Sequence, residues 1–557
     1  MTRDCIGDVR GEQRGWALAL VPLLLAGALC LPAIGQRVIY LGDEARYALL
    51  ARTMVESGDW LVPRIGSEVH MEKTPLFIWA IAALSLAQRR VTEFTAVLPS
   101  ALSGIAGVGM TTLLARRMFG ARAGILAGLI VATTWGYVWH ARMALADMMV
   151  TALVIAGAAA FWCAVGDRGG APADGARASA RRVPMALFWL CLGLALGAKG
   201  PLGLMPLLPC AAFLVSERGW SGLRALRPLS GVAIVLLVSL PWALAFALQR
   251  ETGYVESVVV QDFLGPRLQG WRNASEAFFA LGPICVGFMP WTPFVPSAVR
   301  HGWWRPESDE TRRAFRFLVF WVLAYVVVIT LLPHKRDRYL LATYPALAVM
   351  VAWLWDRWIA RPMPRALRLH GLIWAGLVAL MAAAVFAPLR PRPELAVLLP
   401  GTLGGKLVLA GLLVAAALLA LGAAFAGRPL ATFLAMCAPM ALVLAYETHV
   451  FVDGHNRAYD IRALGERLGR RVEPAAEIAT YRYQPLALQF YSGRSVQRAR
   501  DTAELSGMIE RGRPLYVVAE DRSWPEVPPP AGRAWTVVDG ARVDGKSISV
   551  RIAQVRP

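Results

Sequence analysis

Stretches of about twenty apolar residues recur along this chain at short intervals, and no other feature constrains its fold as strongly. A helix of that length covers the hydrocarbon thickness of a bilayer, where backbone amides can be satisfied only within helices or closed barrels. Such runs centre on 16–35, 94–115, 122–140, 144–166, 184–199, 200–216 and 228–248. They continue at 276–299, 315–333, 339–358, 367–387, 404–426 and 429–451, giving thirteen expected spans. Hydrophobic residues make up 57% of the 557 positions and charged ones 17%, so lipid is the solvent for most of the chain. The stretch 75–87 is also apolar but has only thirteen residues, which suits an interfacial helix better than a span.

The formal charge of +20 sits in short loops between apolar runs rather than on one surface, which speaks for membrane topology and against a nucleic-acid partner. Short inside loops collect Lys and Arg. With the N-terminus inside, Arg116, Arg117 and Arg122, then Arg168, Arg177, Arg181 and Arg182, then Arg218, Arg224 and Arg227 all fall inside. The later clusters around Arg305, Arg361 and Arg428 follow the same rule. Counting 75–87 as a span would invert this pattern. The first apolar run, behind Arg3, Arg10 and Arg14, is expected to stay as an uncleaved anchor. Six of the seven cysteines lie inside apolar runs and no CxxC occurs, so neither a disulfide framework nor a zinc knuckle is expected.

This scheme places outside a long first loop (36–92), turns near His140 and Gly200, a loop at 249–276, and the turn His334–Tyr339. Everything after 452 is outside too. That segment is less apolar, with strand-like runs at 478–483, 515–519 and 548–555 and a helical stretch at 457–471. The expected organisation is therefore a membrane domain over 1–451 and a small soluble α/β domain over 452–557.

Charges that break the orientation rule are the informative ones. His334-Lys335-Arg336-Asp337-Arg338-Tyr339 is a dense basic turn on the outside, where an anion such as a phosphate would hold it, with anionic lipid headgroups the simpler alternative. Asp43 and Glu44, followed by Arg46 and Tyr47, open a helical stretch running to about Glu56. Acids in a first turn commonly do no more than complement the helix dipole. Glu72-Lys73-Thr74-Pro75, at the entry to the short helix, adds further charge at the same membrane face. Asp147, near the outside end of a span and preceded by His140 and Arg142, is either a helix cap or a functional acid facing a cavity. Lys199, before Gly200-Pro201, lies at another outside junction, and Arg250 and Arg267 add charge to the 249–276 loop. No HExxH, Walker A or GxSxG motif is present. His70 with Glu72 could offer two ligands to a metal.

An Asp-Glu-Ala-Arg-Tyr motif after the first span, Glu-Lys-x-Pro about thirty residues later and a second Asp three spans on resemble the GT-C glycosyltransferases. Ala198-Lys199-Gly200, Gly287-Phe-Met-Pro-Trp291 and Tyr339-Leu-Leu-Ala-Thr-Tyr-Pro-Ala-Leu-Ala348 extend the similarity. Thirteen spans with an outside C-terminal domain look most like the branch that transfers 4-amino-4-deoxy-L-arabinose to lipid A, within the protein O-mannosyltransferase-like family. Thr74 stands where many relatives have the first proline of Lys-Pro-Pro.

The resemblance implies an all-α polytopic GT-C fold in a bacterial inner membrane, with the site and the C-terminal domain periplasmic and the protein a monomer. It implies single displacement with inversion, from an undecaprenyl-phosphate-linked sugar to lipid A or another outer-leaflet acceptor. In that reading Asp43 and Asp147 are catalytic. Arg46, Lys73, Arg267, Arg338 and Tyr339 bind the donor phosphate, and Glu44, Lys199, Lys335 and Arg336 are further candidates. A divalent metal would take Glu72 as its first ligand and Glu44 as its second. The alternatives are a protein Ser/Thr acceptor, as in the O-mannosyltransferases, and a transporter of lipid-linked sugars.

Overall fold

A computed structural model describes residues 18–555, apart from 67, 71–72, 167–174, 249–278, 333–334, 388–399, 401, 460, 484, 512, 528, 530–532 and 544–545. Among the described residues, nine helices are long and apolar enough to cross a bilayer. A tenth is added if Ala121–Ala132 and Trp135–Ala141, bent by 66° to one another, form one span. The molecule is a helical membrane bundle carrying a small C-terminal sheet domain.

The expected count of thirteen differs from this in identifiable places. The runs 184–199 and 200–216 form one apolar segment, Arg181–Leu204, followed by the twelve-residue helix Leu207–Arg218. The run 276–299 is divided into the short helices Leu281–Gly287 and Val295–Val299. Pro283, Pro290, Pro293 and Pro296 remove amide donors across that stretch, which interrupts a continuous helical ladder. The first run appears as Leu18–Cys30.

The first loop folds as its composition suggests. Asp43 and Glu44 lie in the first turn of the helix Gly42–Ser57, which Gly58 ends by taking φ +74° and donating its amide to the Met54 carbonyl at 3.0 Å. Pro75 starts the short helix Pro75–Ser85, where a missing amide costs nothing. Phe77, Ile78, Ile81 and Ala82 of this helix are fully buried against the bundle. The next helix, Glu93–Phe119, is opened by a capping box in which Thr92 and Thr95 satisfy each other's amides.

Within lipid, association of helices depends on close packing rather than on expulsion of water. Phe161, Phe188, Phe213 and Phe317 lie at 0–1% exposure, with Phe161 stacked on Phe317 at 5.4 Å and tilted on Phe188 at 5.6 Å. At Gly107 the reason for a missing side chain is direct: a Cβ there would meet the Tyr137 hydroxyl at 2.1 Å. That hydroxyl donates to the Gly104 carbonyl at 2.9 Å, tying the bent segment Trp135–Ala141 to the helix Glu93–Phe119.

The last long helix, Pro429–Ala458, runs through position 451 without a break and enters the C-terminal domain. That domain has a five-stranded sheet in the order Val496–Ala499, Glu477–Tyr481, Leu515–Glu520, Lys546–Val555, Arg533–Val543, the first three parallel and the rest antiparallel. Three of these strands were expected. Val496–Ala499 and Arg533–Val543 are the two edge strands, whose mixed polarity hides them from a pattern search. The domain rests on the first loop and on the start of the helix after it: Arg462 pairs with Glu93 at 2.6 Å, and the Asn456 side chain accepts from the Val38 amide at 2.8 Å. The Tyr491 hydroxyl accepts from the Ile39 amide at 2.8 Å, and Arg52 lies 4.5 Å over the Phe490 ring.

Candidate active site

Helix ends bring the charges together. Asp147 opens the helix Asp147–Val165, and Lys199 closes the helix Gly175–Lys199 that packs against it, so both side chains belong to one end of the bundle. Gly200, at φ +63°, turns the chain immediately after Lys199. Arg338 and Tyr339 lie in the 3-10 turn Asp337–Thr343 that leads into the helix Tyr344–Ala360.

Arg338 is the hub. Its Nη2 donates to Asp43 Oδ2 at 2.6 Å, while its Nε lies 3.4 Å from Asp147 Oδ2. Lys199 Nζ donates to Asp147 Oδ1 and lies 4.4 Å over the Tyr339 ring. Arg46 and Lys73 each come within 3.6 Å of Asp43 Oδ1, and Lys73 also lies 5.6 Å over the Tyr47 ring. Burial alone would raise the Asp43 carboxyl. The charges of Lys73 and Arg338, with the hydrogen bond from Arg338 and the charge of Arg46, more than offset this and hold it below the ordinary carboxylate value.

A cavity of about 330 Å³ opens beside this cluster. Asp147, Lys199, Arg338 and Tyr339 form its polar wall, and Val150, Leu202, Met205 and Ile329 its apolar one. One charged end with an apolar continuation suits an amphipathic ligand. Tyr325 also lines it, and its buried hydroxyl has no hydrogen-bond partner among the described residues. Nothing in the local pattern singles out Tyr325, a lone tyrosine inside the apolar helix Asp309–Leu331. His140, which precedes Asp147 in the chain, has its Nε2 at 4.0 Å from Asp337 Oδ2.

The other expected residues divide. Glu44 is fully buried and faces a different partner: Arg37 pairs with it through both nitrogens, one at 3.0 Å, and it accepts the Ala144 amide at 2.8 Å. Ala144 is three residues before Asp147, so Glu44 fixes the segment that delivers this aspartate. Arg336 is exposed and Lys335 half-buried. Glu72 and Arg267 lie outside the described residues. Among the described residues no group of three or more His, Cys, Asp or Glu side chains is gathered as a metal site. Of the two expected metal ligands, Glu44 is committed to Arg37 and Glu72 lies outside the described residues.

Residues 26–253 match the model of the dolichyl-phosphate-mannose-protein mannosyltransferase family. Among curated proteins, an undecaprenyl phosphate-alpha-4-amino-4-deoxy-L-arabinose arabinosyl transferase from Edwardsiella ictaluri is 29% identical over 64% of this chain and 62% of its own length. Its counterpart from Pseudomonas paraeruginosa is 28% identical over 68% of this chain and 66% of its own. The matched stretch thus spans a little under two thirds of these relatives.

Among solved structures, ArnT from Cupriavidus metallidurans bound to undecaprenyl phosphate superposes with a TM-score of 0.75 at 20% identity, covering 96% of this chain and 98% of that one. The archaeal oligosaccharyltransferase AglB from Archaeoglobus fulgidus superposes at 0.56 with 11% identity, covering 92% of this chain and 70% of that one. The fold is that of the GT-C glycosyltransferases. The likeness to ArnT runs through 96% of the chain, from the membrane bundle to the C-terminal sheet.

Proposed function

We propose that this chain is an inverting glycosyltransferase that moves 4-amino-4-deoxy-L-arabinose from undecaprenyl phosphate to a phosphate of lipid A at the periplasmic face of the inner membrane. The observation that carries the reading is the cluster around Arg338: two carboxylates held among four cations (Arg46, Lys73, Lys199 and Arg338) at the mouth of a cavity with an apolar wall. The surplus of two positive charges suits the phosphate that leaves. In the reaction the bond from the anomeric carbon to the donor phosphate oxygen breaks, its electron pair stays on that oxygen, and the acceptor oxygen bonds to the opposite face of the carbon. Negative charge therefore grows on the departing phosphate, and fixed cations in a water-poor cavity stabilise it as it forms. Arginine adds paired, directional donors.

The state of Asp43 bears on the acceptor. A general base works best with a pKa near the operating pH, whereas Asp43 is held below the ordinary carboxylate range. An anionic carboxylate of that kind suits electrostatic positioning of a cationic amino sugar better than proton abstraction. A phosphate acceptor needs no base, being already ionised, so the site fits lipid A phosphate better than a protein hydroxyl. The whole-cell test is a comparison of lipid A masses with and without the gene, alongside sensitivity to polymyxin. One added aminopentose per lipid A and raised resistance are expected with the gene. Unchanged lipid A with altered glycoproteins would move the acceptor to protein.

A further inference from the structure

A second cavity, of about 370 Å³, lies between the short helix Trp135–Ala141 and the last long helix, and it shares no lining residue with the catalytic one. Trp135, Trp139, Arg142, Glu447 and Thr448 form its polar and aromatic wall. Trp135 and Trp139, one turn apart, stack with centroids 5.7 Å apart. The Glu447 carboxylate accepts from the Trp135 side chain, and no ion pair to it occurs among the described residues. Arg142 donates from Nη1 to the Leu29 and Cys30 carbonyls at 3.0 and 3.3 Å, ending the first helix, and has no acidic partner among the described residues. A smaller cavity, of about 310 Å³, continues past Trp139 and Arg142 to Ala33, Ile34, Met143 and Val452, with Arg37 also on its wall.

An ionisable group in a membrane helix is costly without a partner. Glu447 lies eighteen residues beyond Pro429, which at 1.5 Å per residue is ~27 Å along the helix, close to the ~30 Å of hydrocarbon. That depth is the headgroup boundary, where tryptophans also collect. An anion alone would satisfy Arg142 and leave Glu447 unmatched; a cation alone would do the reverse. One molecule carrying both charges answers both.

We propose that this cavity binds the ethanolamine-phosphate headgroup of a membrane phospholipid, with the ammonium between Glu447 and the tryptophan faces and the phosphate on Arg142. Cation–π attraction supplements the carboxylate contact, and the neighbouring cavity, bounded by Arg37 and by Ala33, Ile34 and Val452, takes the glycerol end. His140, on the same short helix, faces Asp337 on the catalytic side, so the lipid occupies the opposite side from the reacting groups.

The test is titration of the delipidated full-length protein with dioleoylphosphatidylethanolamine and, separately, dioleoylphosphatidylglycerol, read as lipid adducts by native mass spectrometry. The ethanolamine lipid is expected to fill one site at concentrations where the glycerol lipid does not. Losing a charged hydrogen bond should weaken its binding about tenfold in E447Q, and W139L should weaken it in the same direction. R142Q also removes the cap of the first helix, so E447Q, which keeps shape and packing, decides if R142Q fails to fold. Equal affinity for the two lipids in the wild type, or unaltered ethanolamine-lipid binding in E447Q, overturns the proposal.

Discussion

Replacing Arg338 with lysine probes the site most sharply, because it keeps the charge and removes the geometry. The guanidinium reaches Asp43 at 2.6 Å through Nη2 and Asp147 at 3.4 Å through Nε. A single ammonium on a flexible stem cannot hold both carboxylates in the same orientation. One charged contact is then lost, costing about 1.5–3 kcal/mol, and if it is made in the transition state, kcat/KM falls roughly 10- to 150-fold. R338A, which also removes a charge, should fall further, by roughly 10²–10³ in kcat as for a deleted oxyanion donor. Both variants should be assayed in nanodiscs with undecaprenyl-phosphate aminoarabinose and lipid A, with product quantified by mass spectrometry and folding checked by size exclusion. If R338K stays within about threefold of the wild type while correctly folded, the bridging role assigned to Arg338 is wrong.

Glu44 should behave as a structural residue. Both it and Arg37 are almost fully buried, so E44A leaves an unpaired guanidinium and should destabilise the protein by about 3–5 kcal/mol, read as a lower melting temperature in detergent. Asp43 has a lowered folded-state pKa, so its ion pairs stabilise the fold above the ordinary value of 3.8 and are lost as pH falls below it. The stability difference between wild type and D43N should therefore be level through neutral pH and shrink only in strong acid; a change centred near pH 6 would contradict this. Lys199→Met should weaken undecaprenyl phosphate binding about tenfold, measured by displacement of a labelled lipid. Gly107→Ala would push a methyl group onto the Tyr137 hydroxyl, with an expected cost of about 1–3 kcal/mol seen in thermal unfolding.

Much of the fold was legible because lipid imposes simple rules. Apolar length located most spans, a short run with Pro75 at its start marked a helix that does not cross, and paired acids marked the helix Gly42–Ser57. The broken stretch after Leu281 was less legible, since its apolar content resembles a span while its prolines forbid one. Edge strands such as Val496–Ala499 carry too little alternation to be recognised. At the site, charge at helix ends singled out Asp43, Lys73, Asp147, Lys199 and Arg338 one by one. Their assembly was not readable, because Arg338 meets Asp43 across 295 positions of sequence. For the same reason Glu44, adjacent to Asp43 in the chain, gave no sign that it turns to Arg37 and the Ala144 amide.

The proposed chemistry breaks a sugar–phosphate bond in this cavity rather than moving an intact lipid-linked sugar. The direct measurement is incubation of the purified protein, in nanodiscs, with undecaprenyl-phosphate aminoarabinose and lipid A, following both lipids by mass spectrometry. Free undecaprenyl phosphate and sugar-bearing lipid A should appear in equal amounts with the wild type, and neither with D43N or R338A. An intact donor in every sample, together with donor flipping in proteoliposomes, would contradict the account and make the chain a transporter.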